Sequence, residues 1–444
     1  MSERSPSTRF IVLPCDVPAH GPVPLSIYQR AANRTDELGS DDLGTPILGL
    51  FGEVGSLLAA LKKKRREGAA FASYDAQVVE ELGDVLWYFS AIASHAHLDL
   101  SLLAQQTLGS PRDLGPTDHS EHASFSLLQP KEPFSCESTV IDAMTDLAAR
   151  TGELVEAFRS GRLSKNPSVS SAGLVSILRA IAATANAACI DLNVAARANL
   201  EKAFSRWPLQ QTYPPLVDSD GLPDEQLPRQ FEVFIEEQKV GGKTYVLQKR
   251  NGVIIGDRLT DNKTEKDDYR FHDVFHIAYA VHLGWSPVLR ALFHVKRKSC
   301  PDLDENEDGA RAILIEEGIA TFVFQRALER ELFEGLTRLD YGLLKFVQDL
   351  VQGFEPERCA LWQWEQAILD GFKVFRELKQ YRRGILKANL LEHTLTFEPL
   401  RSGQGSLPVR RHSEFRRAIS PTAVTEAELV KRASGDQSTR PQRP

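Results

Sequence analysis

A chain of 444 residues with 42% hydrophobic and 25% charged residues has enough apolar content for two or three cores. Its formal net charge of −7 gives no electrostatic reason to coat nucleic acid or an anionic membrane; local basic runs are still compatible with it, and free nucleotides fit at least as well. Five cysteines without a CxxC pair predict a reducing compartment. Together with the lack of an apolar leader in "MSERSPSTRFIVLPCDVPAHGP" and of any run of about 18 apolar residues, they predict a cytoplasmic protein with no membrane partner.

Helical periodicity runs from 24 to 208, broken by a Gly-, Pro- and Ser-rich stretch over 111–137 that reads as a loop or insertion. Two helical units, 24–110 and 138–208, are expected on either side. A Pro-rich linker over 209–229 follows. The pattern then alternates in "FEVFIEEQ", "KTYVLQKR" and "VIIGDRL", with an Asn-Gly turn at Asn251 and Gly252, which predicts a small antiparallel meander. Long helices are expected in "DDYRFHDVFHIAYAVHLGW", "EDGARAILIEEGIATFVFQRALERELF" and "CALWQWEQAILDGFKVFRELKQYRRGIL", making 230–400 an α+β domain. The polar, basic stretch 401–444 reads as a disordered tail. The fold class is mainly α: a duplicated helical bundle followed by an α+β domain.

Duplication is suggested because "ELGDVLWYFSAIASHAHLDL" (81–100) overlays "GLVSILRAIAATANAACIDL" (173–192) without a gap at an offset of 92. Upstream, "GEVGSLLAALKKK" matches "GELVEAFRSG" at an offset of 100. Chance likeness of two alanine-rich amphipathic helices is the alternative.

In the first unit Glu53 lies on one helix and Glu81 and Asp84 lie three residues apart on the next. Residues at i and i+3 share a helix face, with Cβ atoms roughly 5–6 Å apart. Carboxylates crowded in a bundle repel and are costly to desolvate, a cost that a divalent cation relieves; an all-oxygen set favours Mg²⁺, with Mn²⁺ the alternative. Solvated acids at a helix start, favoured by the macrodipole, are the competing explanation.

The stretches "LSIYQRAANRT", "GLFGEVGSLLAALKKK", "EELGDVLWYFSAIA" and "DLNVAARANLEKAFSRWP" resemble the MazG-like all-α nucleoside triphosphate pyrophosphohydrolases over 24–208. The resemblance implies an ExxE and an ExxD motif holding Mg²⁺, and hydrolysis of (d)NTP to (d)NMP and pyrophosphate. It makes Glu53, Glu81 and Asp84 metal ligands and catalytic residues, and counts the adjacent Glu80 with the metal-site acids although it points to a different face. Tyr88 would face the nucleotide, and Lys62, Lys63 and Lys64 the phosphates. One position departs: Ser56 replaces the second acid of ExxE, leaving weaker metal binding, altered chemistry or loss of activity all open.

The second unit keeps Glu153 and Glu156 but has Gly173 and Ser176 where the first has Glu81 and Asp84. It alone keeps the polar closing helix with Asn199, Lys202 and Arg206. The expectation is therefore a pseudo-dimeric composite site, the first unit holding the metal and the second the phosphates; the alternative is a second unit that only completes the bundle. Water would attack a phosphorus in line, with Glu53 as the base.

In the C-terminal domain His272 and His276 stand at i and i+4, with Asp268 and Asp273 beside them and Glu316 and Glu317 in the apolar run "ILIEEGIATFVF". Two histidines and a glutamate suit Zn²⁺, Mn²⁺ or Fe²⁺ as a second divalent metal. "HDVFH" differs from the HExxH helix by Asp for Glu; a core cluster satisfied internally is the alternative. The module resembles one that accompanies MazG-like domains, with no activity implied. The expected function is a Mg²⁺-dependent nucleotide pyrophosphohydrolase acting on nucleoside triphosphates. An inactive nucleotide-binding module that controls a metal-dependent C-terminal hydrolase is the alternative. Nothing in the sequence signals nucleic acid strongly, and a homo-oligomer is compatible with it.

Overall fold

The computed structural model describes residues 10–39, 42–107, 123–129, 137–165 and 167–400. The expected tail and most of the expected insertion lie outside these residues, as does Cys136.

The helical half contains α1 (Leu25–Asn33), α2 (Gly44–Glu67), α3 (Tyr74–His95), α4 (Leu100–Thr107), α5 (Glu137–Arg159), α6 (Arg162–Lys165), α7 (Pro167–Ala187) and α8 (Leu192–Arg206). On α2 the buried residues Ile47, Leu50, Val54, Leu57 and Leu61 recur every three or four positions, as do Val78, Leu82, Val85, Phe89 and Ile92 on α3. Each therefore presents one apolar stripe to a shared core. Gly44–Ala70 is long and apolar enough to cross a bilayer, but its stripe is spent inside this bundle.

Hydrogen bonding in the two halves corresponds at the sequence offsets 100 and 92. Gln29 donates to Leu98 O and Ser94 Oγ (both 2.9 Å) and accepts from Leu100 N at 2.9 Å. Gln129 donates to Ile190 O (2.8 Å) and Asn186 Oδ1 (3.0 Å) and accepts from Leu192 N at 2.8 Å. The turns that these glutamines clasp both pass through a left-handed residue, His97 (φ 56) and Cys189 (φ 57). Pro24 and Ser124, themselves 100 apart, pair with each other in an antiparallel bridge, where a local two-fold axis would cross the chain. Part of the stretch read as insertion is thus structured: Phe125–Leu128 is a 3₁₀ turn standing to the second half as Leu25–Tyr28 stands to the first.

The C-terminal half is a five-stranded antiparallel sheet against helices. The strands are β1 (Gln230–Val240), β2 (Lys243–Arg250), β3 (Val253–Ile254), β4 (Arg383–Asn389) and β5 (Thr394–Pro399), in the order β3-β2-β1-β4-β5. Asn251 (φ 50) and Gly252 (φ 79) make the β2–β3 turn, both in the left-handed region that a two-residue hairpin requires. The helices are α9 (Asp273–Leu283), α10 (Pro287–Phe293), α11 (Pro301–Asn306), α12 (Ala310–Leu328), α13 (Tyr341–Leu350) and α14 (Leu361–Tyr381). Every residue of α9 is buried, so its polar side chains must find partners within the domain.

One expected helix is shorter than its sequence pattern. The chain leaves α14 at Tyr381 through Arg382 in the left-handed region (φ 61) and turns directly into β4. "RRGIL" therefore belongs to the sheet, and with β5 it extends the expected meander from three strands to five.

Candidate functional site

α2 and α3 form an antiparallel hairpin with α8 against α3, and the acids face the resulting seam. Carboxylate oxygens of Glu53, Glu81 and Asp84 lie within 4.8 Å of one another. α3 and α8 approach closely because position 83 has no side chain: a Cβ there would lie 2.8 Å from Ala195 O and 2.9 Å from Asn199 Cβ. This approach lets Asn199 donate to Asp84 Oδ1 at 3.0 Å while accepting from the Tyr28 hydroxyl at 3.1 Å. Lys202, one turn along α8, donates to Asp84 Oδ2 and lies 3.6 Å from Glu80.

All three acids hold their protons more tightly than free carboxylates. Burial and the charges of Asp84 and Glu81 push Glu53 up to about 7. Burial is also the main reason that Glu81 and Asp84 are raised, with Lys202 opposing it at Asp84. Glu53 and Glu81 are hydrogen-bonded to each other, and Gln77 donates to Glu81 at 3.3 Å. Carboxylates this close, with only one lysine among them, carry an excess of negative charge that a divalent cation neutralises.

Beside the acids is a cavity of about 220 Å³ lined by Glu53, Asp84, Trp87, Tyr88, Lys202, Arg206 and Tyr341, among others. Tyr88 lies against Gly49, where a Cβ would come within 2.2 Å of its ring. The Arg206 guanidinium stands over the rings of Trp207 (4.5 Å) and Tyr341 (5.4 Å) and donates to Leu339 O at 3.4 Å. The site thus combines clustered carboxylates, two cations and an aromatic wall.

Glu80 and the lysines singled out on α2 stand elsewhere. Glu80 faces the C-terminal domain: Tyr341 donates to it at 2.8 Å and Lys345 also binds it. Burial alone would raise its pKa, but the Lys345 hydrogen bond, Lys202 and Tyr341 outweigh that and hold it low. Lys62 is exposed, and Lys63 lies over the Phe71 ring at 4.2 Å. Both are more than two turns beyond Glu53 on α2 and are absent from the cavity wall. Conversely, Gln77, Trp87, Trp207, Tyr341 and Lys345 were not singled out. Trp87 follows Asp84 by one turn and was legible in principle; Tyr341 and Lys345 arrive from 257 or more residues away and carry no local signal.

The corresponding place in the second half is an open cavity of about 620 Å³ lined by Arg150, Glu153, Glu156, Gly173 and Ser176, among others. Glu153 pairs with Arg150 (3.7 Å) and Glu156 with Arg159 (3.0 Å). These acids are balanced by their own helix, and Gly173 and Ser176 add no charge.

In the C-terminal half His272, His276 and Glu317 converge, with ligand atoms within 4.8 Å of one another. Glu316, on the adjacent position of α12, does not face that gap. Its carboxylate is consumed by His276 Nδ1 (2.9 Å), Ser286 Oγ (2.6 Å) and Val288 N (2.8 Å). Asp273 accepts from Gln248 of β2 and lies 3.2 Å from His272 Nε2. Asp268 is drawn off to Arg270 and Arg382.

Residues 212–401 match the family model of the MazG C-terminal domain, a segment that begins just after α8 and takes in the sheet and α9–α14. No curated protein and no solved structure matches the chain.

Proposed function

We propose that the chain is a cytoplasmic, Mg²⁺-dependent nucleotide pyrophosphohydrolase that cleaves (d)NTP to (d)NMP and pyrophosphate at the seam between α2, α3 and α8. The observation that carries this reading is the Glu53, Glu81 and Asp84 cluster opposed by Asn199 and Lys202 across that seam. The match of 212–401 to the MazG C-terminal domain supports a MazG-like setting for it. The donor set suits the metal: three clustered carboxylates with raised pKa values and no sulfur or imidazole among them.

Glu53, Glu81 and Asp84 would hold Mg²⁺, which when bound neutralises triphosphate charge and polarises the phosphorus under attack. The chain's own groups divide the remaining work. Glu53, which lines the cavity beside Asp84, is the carboxylate placed to orient the attacking water and take its proton. As water adds to phosphorus, the bridging P–O bond breaks and pyrophosphate leaves. Lys202 and Arg206 line the cavity and are the cations available to the phosphate oxygens. Trp87 and Tyr88 are the aromatic side chains of the cavity wall available to the base. Asn199 holds Asp84 in orientation.

A nucleotide-sensing reading is favoured by one observation: Glu80, next to Glu81, is gripped by Tyr341 and Lys345 of the C-terminal half. One assay separates the two readings. The protein is incubated with each of the eight common NTPs and dNTPs plus Mg²⁺ or Mn²⁺, and pyrophosphate is measured alongside nucleotide binding. Release of pyrophosphate that Asp84→Asn abolishes supports the enzyme. Binding without release in every case supports the sensor, and neither binding nor release removes the nucleotide from both.

A further inference from the structure

We propose that the C-terminal domain carries a second metal site of a different class, in which His272 Nε2, His276 Nε2 and the Glu317 carboxylate bind one borderline divalent transition cation, such as Zn²⁺. It is independent of the carboxylate cluster on α2 and α3 and rests on different residues.

Hydrogen bonding at the far side of each ring directs its Nε2 into the gap. His272 Nδ1 lies 2.9 Å from the Tyr269 carbonyl, which can only accept, so Nδ1 carries the proton and Nε2 presents its lone pair. His276 Nδ1 lies 2.9 Å from Glu316, which also accepts from Ser286 and Val288. Glu316 therefore acts as a carboxylate, and His276 Nδ1 donates to it. His276 is wholly buried, and its Nε2 has no hydrogen-bond partner among the described residues. A buried imidazole nitrogen left without a partner is costly.

The spacing across the gap fits an ion better than a hydrogen bond. The Glu317 oxygens stand 3.5 Å from His276 Nε2 and 3.7 Å from His272 Nε2. Both exceed the usual N–H···O range of about 2.7–3.2 Å. Two ligand atoms each about 2.1 Å from a tetrahedral ion are about 3.4 Å apart. The outer contacts also match what orients metal ligands: a carboxylate behind one histidine and a backbone carbonyl behind the other.

The chemistry of the set selects the cation. Two imidazole nitrogens and one carboxylate favour Zn²⁺ and its neighbours over Mg²⁺. Three protein ligands leave a fourth position, and the Glu317 side chain is 38% exposed, so that position opens toward solvent. Asp273, steered by Gln248, borders His272 Nε2 at 3.2 Å. An open three-ligand ion with a neighbouring carboxylate is an arrangement for hydrolytic or Lewis-acid chemistry rather than a closed structural site.

The test uses the full chain, stripped with a chelator and held in excess Mg²⁺ so that the carboxylate cluster does not take up the probe. Zn²⁺ is titrated calorimetrically, and metal retained after gel filtration is counted by mass spectrometry. The expected result is one Zn²⁺ per wild-type chain, lost in His272→Ala and in Glu317→Gln and unchanged in Asp84→Asn. Glu316→Gln should retain Zn²⁺ with affinity lowered about tenfold to a hundredfold. Glu317 is half-exposed, so its variant reports on binding even if replacing a buried histidine disturbs the fold. Wild-type protein that retains no Zn²⁺, His272→Ala and Glu317→Gln variants that bind it as wild type does, or a stoichiometry that falls in Asp84→Asn would each overturn the assignment.

Discussion

Asp84 is the residue on which the N-terminal site turns, because it faces both the other acids and the cations of α8. Asp84→Asn removes its charge with little change of shape. It should abolish Mg²⁺ binding measured by calorimetry together with any release of pyrophosphate; unchanged turnover would end the metal assignment. Lys202 donates to Asp84 Oδ2 and so competes with any metal ion for that carboxylate; Lys202→Ala should therefore act in opposite directions on the two ligands. Mg²⁺ alone should bind more tightly, since a competing cation is gone. Nucleotide should bind about tenfold to a hundredfold more weakly, the equivalent of one charge-assisted contact of roughly 1.5–3 kcal/mol. A fall in both affinities would place Lys202 in a purely structural role. Glu53 supplies the pH dependence. Its folded pKa of about 7 lies above the ordinary 4.5, so the folded chain holds a proton that the unfolded chain has released. That contribution to stability is complete below about pH 4.5 and is lost as pH rises through about 7. Mg²⁺ competes with the same proton, so the rise in Tm on adding Mg²⁺ should grow between about pH 5.5 and 7.5 and then level off. A rise that ignores pH would remove Glu53 from the ligand set.

Among the elements, the α3–α8 crossing sets the distance from Asp84 to Asn199 and Lys202, and Gly83 permits that crossing. Gly83→Ala forces a methyl group against Ala195 O; overpacking of this kind costs about 1–3 kcal/mol. It should lower Tm and weaken Mg²⁺ binding together, whereas Gly52→Ala, where a Cβ meets nothing within 4 Å, should do neither. Helical spacing puts Glu81 beside Asp84 on α3, while Glu53 on α2 is made a ligand with them through the family resemblance; the three carboxylates do converge. Asn199 and Lys202 on α8, singled out because the stretch after α3 has no matching polar residues, donate to Asp84. Lys62 and Lys63 were misread because nearness in sequence to Glu53 is nearness along a rising helix, which carries them away from the seam. Glu80 stands on a different face from Glu81, as a helix turning 100° per residue requires; what lay hidden was its partner there, the Tyr341 and Lys345 pair of the C-terminal half. The β4–β5 hairpin was hidden in a helical pattern, since α14 stops at Arg382 rather than at a glycine. Gly384 does not mark the stop: it lies in β4, where a Cβ would come within 2.3 Å of the Phe397 ring.

For the whole molecule, the two halves meet at the candidate site rather than away from it. α13 brings Tyr341 and Lys345 onto Glu80, Arg206 reaches Leu339 O, and Leu361 N at the start of α14 donates to Ser205 on α8 at 2.8 Å. A second link joins Arg338 to Glu37 at 2.6 and 2.7 Å, but both side chains are about half-exposed. Exposed pairs contribute about 0.2–1 kcal/mol, so Glu37→Ala should leave Tm and nucleotide affinity nearly unchanged. Lys345→Ala, in contrast, frees Glu80 beside the acid cluster and should alter nucleotide affinity although it lies in the other half. Equal indifference to both substitutions would mean that the C-terminal half merely rests on the bundle.

The contact between Lys202 and Asp84 spans 118 positions of a single chain, and this has a consequence for mass action. A site whose acids and cations came from separate chains would come apart on dilution, and its specific activity would fall with protein concentration. Here the two sides are covalently tethered, so each meets the other at an effective concentration set by the chain and not by the solution. Turnover per molecule should therefore stay constant as the protein is diluted to trace levels, each chain carrying its own complete cluster.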